Sequence, residues 1–188
     1  MFIDEKNVSQ EVKDLPEKKY FVILFHPETL TNIDVAAQMK NLLAAIKDFI
    51  AKYKFVFLGT NADTKSDVIR KMVKEFVQNN ENALYYENLH TDAYHYIVKK
   101  SICLIGNSSS GIIEAPSLGV YTINIGDRQK GRVRGNSVID VVCDKNLISQ
   151  ALNRVIDVHQ SIKPDNPYYK ENSAQLYYKC IKKLLLRL

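Results

Sequence analysis

ICLIGNSSSGIIEAPSLGVYTINIGDRQKGRVR, residues 102–134, is the stretch whose reading decides the fold. It opens on a short, β-branched apolar run, Ile102-Cys103-Leu104-Ile105, which predicts a buried strand. Gly106-Asn107-Ser108-Ser109-Ser110-Gly111 interrupts that run with small residues, and a helical pattern resumes at Ile112-Ile113-Glu114-Ala115. A strand that turns through small residues into a helix leaves several backbone N–H groups unpaired at the positive end of a helix dipole. Such a turn is an anion site. The hydroxyls of Ser108, Ser109 and Ser110 add donors without bulk, and glycine lets an anion approach the backbone. The diphosphate of a ligand is the expected occupant.

Two charged residues sharpen this. Glu114 lies about one helical turn past Ser110–Gly111, where it can face the same mouth. A carboxylate there is poor company for phosphate but suits the hydroxyls of a ribose. Arg128 follows the next apolar run, 121–125, where a guanidinium can grip phosphate with two parallel hydrogen bonds. The same letters also fit a serine-rich turn beside a solvent-facing glutamate and a surface arginine. Spacing alone does not separate the two.

Working outward, short apolar runs alternate with helical periods. Strands are expected at 20–25, 55–58, 83–86, 102–105, 121–125 and 137–142. Helices are expected at 32–51, capped by Thr31 or Asn32, and at 66–78, 91–99 (capped by Thr91 or Asp92) and 147–158. The helix after Ser110 should be short and bent at Pro116, with Gly119 as its stop. Strand–helix alternation of this kind argues for an α/β, Rossmann-like parallel sheet with helices on both faces. Ligands of such sheets lie at the carboxyl ends of the strands. That rule gathers His26, the 88–89 loop, residues 106–110 and Arg128 at one edge, although they are far apart in the chain.

The ends read differently. Residues 1–19 are charged, carry Pro16 and show no sustained period, so they read as a linker or remnant; 20–160 is the domain. Residues 161–188 combine a proline-rich arm with a helix carrying Leu176, Tyr177, Cys180, Ile181, Leu184 and Leu185. A helix reached by such an arm is expected to pack on something other than the body just completed.

Composition bounds the function. The chain has 188 residues, 46% hydrophobic and 25% charged, enough for one ordinary domain with its own core. A net charge of +5 suits an anionic ligand but carries no nucleic-acid signature. No apolar run nears the roughly 20 residues that span a bilayer. The 3 cysteines are widely spaced and the 4 histidines complete no zinc pattern, so no metal is expected. With a polar, acidic start, these features point to a reducing, cytoplasmic compartment.

Three motifs, FHPET at 25–29, the run 106–132 and NPYY at 166–169, are similar to those of a known family. From about residue 20 onward the chain resembles the C-terminal half of the hydrolysing UDP-N-acetylglucosamine 2-epimerases, which start sialic acid synthesis. The resemblance implies one of two Rossmann-like domains of a GT-B fold, with UDP held by this half. It implies that His26 contacts the diphosphate, that Ser108 and Ser109 receive phosphate oxygens and that Glu114 holds the ribose hydroxyls. It also places Arg128 in the same pocket and main-chain groups near Leu89 against uracil, with Asn107, Ser110 and Gly111 supporting the loop. The implied reaction converts UDP-N-acetylglucosamine and water to N-acetylmannosamine and UDP, with no cofactor. In this family the acid/base carboxylates belong to the N-terminal half. No catalytic residue is therefore expected here, and an N-terminal domain supplied in cis or in trans would be needed. The final helix would pack toward that domain, or mediate a homo-oligomer. The other expectations are a UDP-binding module without chemistry, or an epimerase of a UDP-2,4-diacetamido sugar.

Overall fold

Every second residue of the first strand faces the same side of a sheet, so an apolar strand buried on both faces has to feed two separate cores. That is the arrangement found in a computed structural model describing residues 3–28, 34–60, 65–159 and 164–185. In chain order its elements are α1 (Gln10–Lys13), β1 (Tyr20–Leu24), α2 (Val35–Lys47), β2 (Lys54–Leu58), α3 (Ser66–Gln78), β3 (Ala83–Tyr86) and α4 (Thr91–Lys100). There follow β4 (Cys103–Gly106), α5 (Ser110–Ile113), β5 (Tyr121–Ile125), β6 (Val138–Val141), α6 (Lys145–Val158) and α7 (Ser173–Leu185). The strands form one six-stranded sheet of order β3-β2-β1-β4-β5-β6, parallel throughout.

Phe21, Ile23 and Phe25 point into one core with Met39, Leu42 and Ile46 of α2, Ile69 and Val73 of α3, and Leu152 and Val155 of α6. Tyr20 and Val22 point the other way, against Ile97 and Val98 of α4 and Leu118 and Val120. Each such buried side chain contributes about 1.5–3 kcal/mol of transfer free energy. The Phe21 and Phe55 rings stack with centroids 5.2 Å apart, which ties β1 to β2.

Several boundaries differ from expectation, each for a local reason. Helix α2 starts at Val35 because the Asp34 carboxylate accepts from the Ala36 N–H; Thr31 and Asn32 lie outside the described residues. Phe49 and Ile50 extended the helical period in the sequence, yet they sit in a turn closed by Phe49 N–H to the Ile46 carbonyl. Helix α4 is capped by His90, whose Nδ1 accepts from the Asp92 N–H. Helix α6 begins at Lys145, capped by Asp144, ahead of its first apolar residue.

The described part of the segment read as a linker is folded onto the domain. Ser9 caps α1, and Val8 and Val12 are buried against α4. Asn7 and the Asp4 N–H both donate to the Asp92 carboxylate. At the other end, Asn166 donates to the Ile113 carbonyl and to Ser117, sewing the arm to the domain, whereas α7 has no buried residue. No described helix is long and apolar enough to cross a membrane.

Candidate functional site

The chain winds from β1 outward to β3, returns to pair β4 on the far side of β1, and continues to β6. Loops that leave β1 and β4 therefore diverge, and the crevice between them at the carboxyl edge is where such sheets bind ligands. At this edge β1 delivers His26, β3 delivers Leu89, β4 delivers the serine turn and β5 delivers Arg128.

Asn107, fully buried, joins three of these loops. Its Oδ1 accepts from the His26 N–H at 2.7 Å and its Nδ2 donates to the His26 carbonyl at 2.8 Å, so the His26 peptide is held from both sides. Its own carbonyl accepts from Arg128 Nη1 at 3.2 Å and from Gln129 Nε2 at 2.8 Å. Gly106, just before it, takes a positive φ of 142°, and a Cβ there would collide with the Leu24 carbonyl. Only glycine lets the two strand ends approach this closely.

The serine turn departs from the expected helix-dipole site. Helix α5 is 4 residues long and passes at Glu114 into a 3₁₀ turn, Ala115–Leu118, that contains Pro116 and stops at Gly119 in the left-handed region. Helix α5 is too short to build a dipole of consequence. The donors are local groups instead. The N–H groups of Ser108 and Ser109 and the Ser109 hydroxyl have no partner among the described residues. Gly111 lies behind them with its carbonyl accepting from Thr122 Oγ1 at 2.7 Å, and a Cβ there would come within 2.6 Å of the Thr122 methyl.

These groups line a cleft of about 490 Å³ whose walls include His26, Tyr86, Leu89, Tyr94, Ser108, Ser109, Ser110 and Glu114. His26, Leu89, Ser108, Ser109, Ser110 and Glu114 are thus brought together from three strand ends, while Asn107 and Gly111 support them from behind. Arg128 does not line the cleft. One of its amino groups donates to the Asn107 carbonyl, which holds the guanidinium beside the serine turn. A second cavity, of about 460 Å³, lies past β5 and β6 beside Gln38, Arg134 and Asp140 and contains none of the expected residues.

Three participants escaped the sequence reading. Tyr94 donates to Ser110 Oγ at 2.6 Å, His95 Nε2 stands 2.9 Å from Glu114 Oε2, and buried Gln129 supports Asn107. Burial pushes the Tyr94 phenol up, with the Ser110 hydrogen bond pulling the other way and the Glu114 charge adding to the rise. It is therefore a neutral hydroxyl donor. The signal that could have found Tyr94 and His95 was topological, because the start of α4 lies at the same sheet edge as the end of β3.

The family model for UDP-N-acetylglucosamine 2-epimerase matches residues 2–182. The chain belongs to that family. It is 50% identical over 161 residues to the polysialic acid biosynthesis protein P7 of Escherichia coli, covering 83% of this chain and 40% of that protein. It is 34% identical to the GDP/UDP-N,N'-diacetylbacillosamine 2-epimerase (hydrolyzing) of Campylobacter jejuni, covering 74% and 36%. In fold it matches the S. aureus MnaA-UDP co-structure with a TM-score of 0.77 at 18% identity, covering 99% of this chain and 50% of that one. Membership carries the architecture with it: this is a Rossmann-like domain of the GT-B type. The chain spans about two-fifths of the P7 protein and half of MnaA.

Proposed function

We propose that this chain is the UDP-gripping half of a hydrolysing UDP-N-acetylglucosamine 2-epimerase. The observation that carries the reading is the meeting of open N–H and hydroxyl donors at Ser108 and Ser109 with the Glu114 carboxylate in one cleft. Donors of this kind fit the phosphates and the carboxylate fits the ribose diol. His26 and Leu89 line the same cleft, which supports His26 as a diphosphate contact and main-chain groups near Leu89 as the contact for the base. As the glycosidic C–O bond breaks, negative charge grows on departing UDP. Preorganised donors in a drier cleft each stabilise such charge by ~2.7–4 kcal/mol. Acid/base groups acting on the sugar would come from a second domain, supplied in cis or in trans, and the exposed face of α7 would pack toward it. Water then adds to the eliminated sugar to give N-acetylmannosamine.

Calorimetric titration with UDP, UMP and uridine tests the reading. Affinity is expected to rise with each phosphate; uridine binding as tightly as UDP overturns it. Turnover of UDP-N-acetylglucosamine is expected only when the other half of a family enzyme is added. Turnover by this chain alone would remove the division of labour.

A second reading, supported by the Campylobacter relative, gives the sugar a second acetamido group. It shares the UDP site and differs only in the sugar that the complemented enzyme consumes.

A further inference from the structure

Two adjacent side chains of α4 meet this site: Tyr94 lines the cleft, and His95 bonds Glu114 in its wall. Tyr94 donates to Ser110 Oγ at 2.6 Å, and the Ser110 hydroxyl donates onward to Ser108 Oγ at 3.2 Å. Ser108 Oγ also accepts from the Ser110 N–H at 3.4 Å. A hydroxyl oxygen has two lone pairs, and here both are taken. What Ser108 has left to offer is its proton, the group a phosphate oxygen needs. Removing the Tyr94 hydroxyl releases the Ser110 proton to point elsewhere, and the order of donors is lost.

His95 acts on the other end. Its side chain is only 12% exposed, so packing fixes the ring, and Nε2 lies 2.9 Å from Glu114 Oε2. A carboxylate accepts and does not donate, so the proton of this bond belongs to His95. With Oε2 tied back, Glu114 presents Oε1, which has no partner among the described residues. Successive residues on a helix point about 100° apart, so one short stretch of α4 serves both groups, Tyr94 bonded to Ser110 and His95 to Glu114.

We propose that Tyr94 and His95 are positioning residues that set the two ends of the nucleotide site independently, Tyr94 ordering the serine hydroxyls for the diphosphate and His95 aiming Glu114 at the ribose hydroxyls. This rests on the UDP reading above.

The test is calorimetric titration of the full chain and its variants with UDP, uridine and 2′,3′-dideoxy-UDP. Tyr94→Phe is expected to lower the UDP-to-uridine affinity ratio roughly five- to tenfold and leave the UDP-to-dideoxy-UDP ratio unchanged. His95→Ala is expected to do the reverse, lowering the UDP-to-dideoxy-UDP ratio by a similar factor and sparing the other. His95→Gln, which restores an N–H donor, should recover it. Should His95→Ala fail to fold, His95→Phe keeps the ring volume without the donor and carries the same expectation. A general loss of packing would move both ratios together, so parallel changes overturn the inference, as does either variant leaving its own ratio unmoved. Wild-type protein that binds no UDP overturns the functional reading itself, and this inference with it.

Discussion

Asn107 holds the His26 peptide from both sides, so alanine there removes two hydrogen bonds from a buried peptide. The expected cost of Asn107→Ala is roughly 2–4 kcal/mol in urea unfolding, with loss of UDP binding, because the β1 and β4 loops are no longer joined. Gly106 presents a steric version of the same dependence. Gly106→Ala is expected to destabilise by more than about 3 kcal/mol, since the colliding atom is a backbone carbonyl in the neighbouring strand and φ is positive. Thermal or urea melts of the soluble fraction check both. At this scale the sequence was informative about small residues and silent about Gln129. A glutamine among Asp127, Arg128 and Lys130 reads as surface; it is buried because the Asn107 carbonyl needs a second donor.

Helix α4 carries more than its amphipathic period announces. Its inner face packs on β1, its Tyr94 lines the cleft, its His95 bonds Glu114, and its Asp92 anchors residues 4 and 7. Hydrogen bonds from Asn7 and the Asp4 N–H hold the Asp92 carboxyl below its ordinary value of 3.8. A carboxyl with a depressed native pKa is protonated more readily in the unfolded chain. Its stabilisation is therefore complete above pH 3.8 and lost as pH falls through the lower native value. Asp92→Asn should lower the urea midpoint at neutral pH, and the gap to wild type should close in acid. Val12→Ala, removing buried methyl groups from α1, should cost roughly 1–3 kcal/mol in the same melts if residues 9–13 belong to the cooperative unit. The strands were legible as short, mostly apolar runs; β1 and β4 are buried almost throughout, whereas the edge strands β3 and β6 are half-buried, β6 with Asp140 exposed. The N-terminal helix was not, because two apolar residues four apart, Val8 and Val12, are too few to show a period. The His90 cap escaped for a different reason: an imidazole seldom takes that role, and Asp92, the better candidate, is used by the N-terminal segment.

At the scale of the molecule, the parallel order β3-β2-β1-β4-β5-β6 makes the β1–β4 crevice unavoidable once the alternation of strands and helices is given. What periodicity could not supply was the order itself, and hence which two loops would flank the crevice. Removing residues 170–188 is expected to leave the thermal midpoint within about 2 °C of the full chain, because α7 buries nothing against the sheet. A fall of more than that would mean α7 packs on the domain. The arm before it is another matter: Asn166 bonds both Ile113 and Ser117, and its loss should register.

Helix α7 is 13 residues long with no buried side chain. Helices shorter than roughly 12–15 residues barely persist in water by themselves. Its amide hydrogens should thus exchange with deuterium at nearly the speed of an open peptide while the strands stay protected for hours. Slow exchange confined to Ser173–Leu185 would then serve as a built-in gauge, registering the moment another surface comes to rest on it.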